Sequence, residues 1–259
     1  MYIDSHCHLD RIDLTPYRHS FAEFMLDAAQ QRVKHLLCIS IDLESWPAMR
    51  ELVAPYGNIS LSVGVHPNVS AEKEVEVETL LALAKDEKVI AIGETGLDYF
   101  HDKVDLECQR QRFSKHIQVA KALNKPLIIH TRDAGQESLD ILRQQAADQV
   151  GGIIHCFTED WAYAEKALEL NFYISFSGIV TFKNAVAIQE VAQKVPADRY
   201  LIETDSPYLA PSPFRGKPNY PTYVRHVAEK IAELRGVSTE EVARQSSENF
   251  SRLFSGVSL

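Results

Sequence analysis

The sequence predicts an α/β fold: a (β/α)8 TIM barrel in a single domain. Short apolar runs alternate with amphipathic stretches from one end to the other, and strand–helix alternation implies a parallel sheet. There are eight such runs, each followed by a helix or by an irregular stretch with room for one, and eight units close a barrel. The 259 residues match the usual size of that barrel. No linker, low-complexity run or shift in composition divides the chain.

The first run, Tyr2-Ile3-Asp4-Ser5, leads straight into His6-Cys7-His8. Residues 21–31 carry Phe21, Phe24, Met25 and Ala28 at helical spacing. Residues 36–41 form a second strand, and Ser45 is the expected cap of a helix with Pro47 in its first turn. Residues 59–64 form the third strand, ending in Val65-His66-Pro67, with a helix over 78–85. Residues 89–93 form the fourth, ending in Glu94-Thr95-Gly96-Leu97-Asp98-Tyr99, and a long helix covers about 106–123. The fifth strand, 126–129, leads into His130 and a helix over 136–145. The sixth, 152–154, leads into His155 and a helix over 161–170. The seventh is 172–176, with a helix over 185–195, and the eighth, 200–202, leads into Glu203-Thr204-Asp205. The Pro-rich stretch 206–221 reads as a loop within the domain. Helices near 223–234 and 239–254 close the chain, the second capped by Ser238.

Composition narrows the class. Hydrophobic residues make up 45% and charged residues 24%, as in ordinary soluble domains. No apolar run reaches membrane-spanning length, and the N-terminus lacks the basic and apolar regions of a signal peptide. Cys7, Cys38, Cys108 and Cys156 are scattered, as reduced thiols rather than a disulfide framework. A cytoplasmic protein with no membrane partner is expected, monomeric or weakly oligomeric. The net charge of -9 argues against binding nucleic acid through the field of the whole chain. A polyanionic substrate would need metal ions and a local basic patch.

The chemistry-bearing residues fall at strand ends. In an extended segment residues i and i+2 share a side, so His6 and His8 aim two imidazoles at one point. Glu94 follows the fourth strand, His130 the fifth, His155 the sixth and Asp205 the eighth. The C-terminal end of barrel strands is where active sites form, so the fold gathers these residues at one mouth. The plainer reading makes them core histidines and a structural Asp, each satisfied by hydrogen bonds. Imidazole with carboxylate suits Zn, Mn, Fe, Co or Ni, whereas an all-Mg site prefers oxygen donors. Six donors exceed one tetrahedral site, and Glu94 is the carboxylate placed to bridge two ions. Two ions about 3.5–4 Å apart can clamp a phosphoryl group. Cys7 and Cys156 are expected to point away by strand alternation. Asp205, further along than Glu203, is expected nearer the mouth; Glu203 is expected to be a deeper polar residue.

These motifs together, His6-Cys7-His8-Leu9-Asp10, Gly64-Val65-His66-Pro67, Gly93-Glu94-Thr95-Gly96-Leu97-Asp98-Tyr99, His130-Thr131-Arg132, His155-Cys156-Phe157 and Glu203-Thr204-Asp205-Ser206-Pro207-Tyr208, resemble the TatD family of metal-dependent deoxyribonucleases, an amidohydrolase-type metallo-barrel family. The resemblance runs in order over essentially the whole chain. It implies one divalent ion held by His6, His8, Glu94 and Asp205 and a second by Glu94, His130 and His155. Some members lack the first His-x-His, which is present here. Related barrels with a carboxylated Lys after the fourth strand cleave amides or phosphotriesters; Glu94 at that position favours the nuclease branch.

Around the donors, His66 follows the third strand and either binds a substrate phosphate or anchors its loop before Pro67. Arg132 either grips a phosphate bidentately or pairs with Asp133 or another nearby acid. Lys183, Arg215 and Lys217 form the best local basic patch at the mouth. Tyr99, Phe157 and Tyr208 either stack on a base or pack the rim. His19, His35, His101, His116 and His226 carry no partner signal and read as surface or local structure.

The resulting expectation is a phosphodiesterase acting on DNA, with a metal-bound hydroxide as nucleophile, Asp205 and Glu94 as the catalytic carboxylates, and two divalent ions as cofactors. The resemblance implies 3′–5′ exonucleolytic trimming of single-stranded or damaged DNA. The enzyme alternative is an amidohydrolase, lactonase or small phosphoester hydrolase on the same barrel. The non-enzyme alternative is a metal-holding binding or regulatory barrel.

Overall fold

All eight predicted strands belong to one parallel sheet, ordered β1 to β8. The computed structural model describes residues 1–101, 104–255 and 257. The strands are β1 (Tyr2–Cys7), β2 (Val33–Cys38), β3 (Ile59–Val63), β4 (Val89–Asp98), β5 (Leu127–Arg132), β6 (Gly152–Ile154), β7 (Phe172–Phe176) and β8 (Tyr200–Ile202). The helices are α1 (Phe21–Gln30), α2 (Trp46–Val53), α3 (Val77–Leu83), α4 (Leu106–Leu123), α5 (Gly135–Gln144), α6 (Trp161–Glu169), α7 (Val186–Lys194), α8 (Val224–Arg235) and α9 (Thr239–Leu253).

The seam between β8 and β1 closes differently. A single parallel bridge joins Cys7 to Ser206. Around it, Ser5 Oγ donates to the Ile202 carbonyl at 3.0 Å. Asp205 N–H donates to His6 O at 2.9 Å, and His8 N–H to Ser206 O at 2.8 Å. The seam therefore fixes the three residues His6, His8 and Asp205 relative to one another.

Two apolar layers follow from strand alternation. The larger packs the outer strand faces against the helices, with Phe24, Phe113, Phe172 and Val227 among its members. The smaller takes Ile3, Leu37, Ile128, Ile153, Tyr173 and Leu201 from the strands, with Phe250 and Phe254 from the end of the chain. Asn249 of α9 donates to the carbonyls of Ala197 and Tyr200 at the start of β8, so α9 covers the barrel end opposite the strand C-termini.

The sequence reading shifts in several places. β2, expected over 36–41, spans Val33–Cys38, and β1 and β5 run on through His6 and His130 to Cys7 and Arg132. β4 was expected to stop at Gly93, but it continues to Asp98 through a bulge between Ile92 and Thr95. Glycines allow this: a Cβ on Gly96 would stand 2.0 Å from the His130 carbonyl, and one on Gly64 would stand 2.4 Å from the Gly93 backbone. Ser45 occupies the N-cap position of α2 but does not cap it with its side chain. Instead the Asp42 carboxylate accepts from Ser45 N–H and Oγ–H at 2.7 and 2.8 Å. Ser238 does cap α9, accepting from Glu241 N–H.

Candidate metal centre

Glu94 occupies the middle of the barrel mouth, fully buried at the β4 bulge. Its Oε1 lies 2.9 Å from His155 Nε2, 3.0 Å from His130 Nδ1 and 3.3 Å from His66 Nε2. Its Oε2 lies 3.5 Å from His6 Nε2. On the seam side, Asp205 Oδ1 is 3.3 Å from His8 Nε2 and 3.5 Å from His6 Nε2. The rings of His6 and His155 stack at 3.8 Å. All six predicted donors thus meet, with Glu94 between the His6/His8/Asp205 side and the His130/His155 side.

Among the described residues, three donor triplets bring one ligand atom each within 4.8 Å of one another: His6, His8 and Asp205; His66, Glu94 and His130; and His6, His155 and Glu203. Both ring nitrogens of His6 and of His155 are buried without a hydrogen-bond partner. His155 Nε2 is close to Glu94, but not aligned with it as a donor. Buried nitrogens are rarely left this way. Lone pairs converging on carboxylate oxygens without hydrogen-bond geometry fit a divalent cation.

A surrounding layer orients the rings. His8 Nδ1 lies 3.2 Å from the Ile39 carbonyl; donation there leaves Nε2 as the free lone pair. His130 Nε2 lies 3.1 Å from Asp98 Oδ2, which leaves Nδ1 for the centre. His155 Nδ1 lies 3.4 Å from Glu203 Oε1, which also accepts from Cys156 N–H at 2.7 Å. A carboxylate behind a ligating imidazole is a recurrent way of fixing its tautomer.

The charges respond to one another. Burial opposes ionisation of Glu94, but His155, His66 and His130 outweigh it and hold the carboxyl well below its ordinary value. Asp205 is likewise lowered, burial being overcome by His8 and His6. Burial, reinforced by His155, lowers His6. Burial of His155 is overcome by Glu94 and Glu203, which raise it well above the usual imidazole range. Asp98 is held low by His130, His101 and Asn68 against the cost of burial. The result is a set of ionised carboxylates buried among imidazoles, an arrangement a cation compensates.

The centre opens into a cavity of about 790 Å³, lined by His66, Arg132, Cys156, Phe100 and Tyr208, among others. The TatD related DNase family model matches residues 3–255. The chain belongs to this family. It is 48% identical over 252 residues to an Escherichia coli K12 protein named as the uncharacterized metal-dependent hydrolase YcfH, covering 97% of this chain and 95% of that one. It is 41% identical over 255 residues to the similarly named YabD of Bacillus subtilis, covering 98% and 99%. Among solved structures, the family fold recurs in the TatD homologue YjjV of E. coli, with a TM-score of 0.90, 28% identity and coverage of 98% and 97%. An organophosphorus hydrolase variant from Deinococcus radiodurans shares the barrel alone, with a TM-score of 0.67 at 15% identity over 98% and 92% of the chains.

Several expectations change at this mouth. Cys156 does not point away: it has a φ of 43°, lines the cavity, and its Sγ lies 3.3 Å from Ser177 Oγ. Strand alternation fails there because β6 ends at Ile154. Glu203 is buried as expected, but it also reaches His155 and joins a donor triplet. His66, expected to meet a substrate phosphate or anchor its loop, also touches both Glu94 and His130. Arg132 is placed at the cavity, with its guanidinium 4.0 Å over the Phe100 ring. Phe157 is buried in the outer apolar layer and Tyr99 bonds Glu137, so neither is available for stacking at the mouth. Arg215 lies over Phe182, and among the described residues Arg132 is the one Lys or Arg lining the cavity. Of the two readings for His35 and His116, surface or local structure, burial leaves the second.

Sequence reasoning missed Asp98, Asn68 and His101. Asn68 Nδ2 donates to Asp98 Oδ2 at 2.7 Å, and His101 Nδ1 lies 2.8 Å from the same oxygen. Asp98 stood in plain view in the motif, two residues past Gly96. Its role was hidden because β4 was ended five residues early. No described helix is long and apolar enough to cross a membrane.

Proposed function

We propose that this protein is a metal-dependent hydrolase that cleaves phosphodiester bonds of DNA at a two-ion centre. The observation that carries the reading is the convergence of six His and carboxylate side chains, Glu94 among them, with His6 and His155 lacking any protein hydrogen-bond partner. The DNase description of the family adds to it. His6, His8, Glu94 and Asp205 would hold one ion, and Glu94, His130 and His155 the other, with Glu94 shared. His66 is near enough to Glu94 and His130 to complete the second set or to meet the substrate.

Two bound divalent ions would supply charge neutralisation at the phosphoryl oxygens and lower the pKa of water to about 7. The protein's own groups do the rest. Asp205, held ionised beside His6 and His8, accepts the proton of the attacking water. Glu94 keeps the two donor sets in register. Asp98 and the Ile39 carbonyl hold His130 and His8 with their lone pairs inward, and Glu203 stands behind His155. Arg132 binds a phosphate oxygen at the cavity wall. Trimming from a 3′ end in the cytoplasm is the form of the activity proposed.

A second reading is supported by charge. The chain carries -9, and among the described residues the cavity sets Asp133 and Glu159 against Arg132 as the one Lys or Arg. A small neutral ester, lactone or phosphoester would meet less repulsion there. One screen separates the two: metal-loaded protein tested with end-labelled oligonucleotides, nitrophenyl esters and lactones. Faster turnover of DNA supports the nuclease. Turnover of esters or lactones with DNA untouched overturns it.

A further inference from the structure

Phe100 and Tyr208 are 57% and 50% exposed, and both line the cavity above the metal centre. Among the described residues, the other exposed large hydrophobic ones, Met1, Leu26, Leu106, Val186 and Val237, are aliphatic and none lines that cavity. Phe100 follows β4 and Tyr208 follows β8. In a barrel closed in the order β1 to β8, those positions face each other across the mouth. Exposed aromatic rings have a solvation cost, and their concentration at one opening marks a contact with something that has apolar faces.

Both rings stand on fixed backbone. Phe100 N–H donates to Asp98 Oδ1 at 3.1 Å, and that carboxylate also orients His130. Tyr208 N–H donates to the Asp205 carbonyl at 2.9 Å. Asn219 Nδ2 donates to the carbonyls of Tyr208 and Thr204 at 2.6 and 2.8 Å. The Tyr208 ring meets the His8 ring edge-on at 5.9 Å. Each aromatic is therefore anchored by a single hydrogen bond to a residue of the centre. Arg132 lies over Phe100 at 4.0 Å, which places a cation beside that ring, and the His101 ring meets it edge-on at 5.1 Å, while Phe100 stays 57% exposed.

We infer that Phe100 and Tyr208 are two base-stacking platforms that take the nucleobases on either side of the scissile phosphate. The inference rests on the phosphodiesterase reading above and names the form of its substrate. Bases can reach rings on opposite sides of one mouth only when they are unstacked and unpaired. The single-stranded substrate that the family resemblance implies would lie splayed over the centre, with stacking at these two rings supplying attraction that an acidic protein lacks elsewhere. Arg132 would pair with the neighbouring phosphate on the Phe100 side.

The test is a cycle between protein and substrate. Phe100→Leu and Tyr208→Leu are made at exposed positions. Each is assayed with divalent metal on a single-stranded oligonucleotide and on versions abasic at the nucleotide before or after the cleaved bond. The expected result is a fall in kcat/KM of about tenfold per ring, the scale of one base–aromatic stack. Phe100→Leu should then lose nothing further on one abasic substrate, and Tyr208→Leu nothing further on the other. Equal losses on intact and abasic strands, or unchanged turnover of the intact strand, overturn the stacking role. Cleavage of no oligonucleotide by the parent protein overturns the nuclease reading and this inference with it.

Discussion

Asp205 has a φ of 56°, a left-handed conformation that Asn adopts about as readily. Asp205→Asn therefore leaves the backbone of the β8–β1 seam undisturbed while removing the charge and the basicity. Activity should fall by at least ~10²-fold, the scale of a lost acid–base group, with metal bound more tightly than in a His6/His8 double variant. Near-normal turnover would remove Asp205 from the mechanism, and Glu203→Gln would become the variant to test. Asp98 bears on metal rather than on proton transfer. Asp98→Asn leaves His130 without the carboxylate that fixes its tautomer, and metal affinity should weaken about 10–100-fold. Calorimetric titration of the apo-protein with Zn(II) or Mn(II) checks this; unchanged affinity would make Asp98 a loop anchor for Asn68 and His101 only. Arg132→Ala should lower DNA turnover with metal content intact, whereas loss of metal would mark it as support for the centre. At this scale the convergence of the six candidate donors was legible because most of them follow apolar runs at strand ends. Glu203, Asp98 and Cys156 were not, since their roles depend on where the strand stops and the chain turns.

The alternation of apolar and amphipathic segments made all eight strands visible, and helix ends fell within a residue or two of the expected positions. α4 shows what periodicity alone misses. One of its faces carries Gln109, Arg112 and His116, all buried and polar. Arg112 donates to the carbonyls of His66, Pro67 and Val69 at 2.8, 3.1 and 2.9 Å, and pairs with Glu74. Gln109 holds the backbone of Asp98 at both N–H and C=O. His116 Nε2 accepts from Val65 N–H at 3.0 Å while Nδ1–H donates to Arg112 O at 2.8 Å. These bonds reach loops far away in sequence, so no local pattern announces them. They also fix His116 as a neutral imidazole, and burial lowers its pKa to about 4. The unfolded chain takes up a proton near pH 6.5 and the folded chain does not. Stability from this group is therefore full above about pH 6.5 and is lost as the pH falls toward 4, by roughly 3 kcal/mol in all. Urea denaturation at pH 7.5 and 5.0 should show about 2 kcal/mol of that loss, and His116→Gln should flatten it. An unchanged pH slope in the variant would assign the loss to other groups such as His35, whose pKa burial also lowers to about 4.

For the whole molecule, the barrel brings buried carboxylates and unpartnered imidazoles to one end of a chain with net charge -9. Ions that bind only the folded state stabilise it by mass action, about 2.7 kcal/mol at a hundredfold excess over Kd. For a domain of this size that corresponds to a rise in Tm of roughly 5–10 °C between chelated and metal-loaded protein. A scan showing no difference would mean that the donors are satisfied without metal. The fold class was legible from length and alternation, whereas the charge balance pointed away from nucleic acid. The site resolves part of that conflict, because attraction for a phosphate would come from bound cations and Arg132 rather than from the chain's net field. The most direct test of the account is the metal count. Elemental analysis of metal-replete protein, paired with anomalous diffraction from its crystals, should give two divalent ions per chain with Glu94 shared between them. A single ion, or two ions without Glu94 in contact with both, would contradict it.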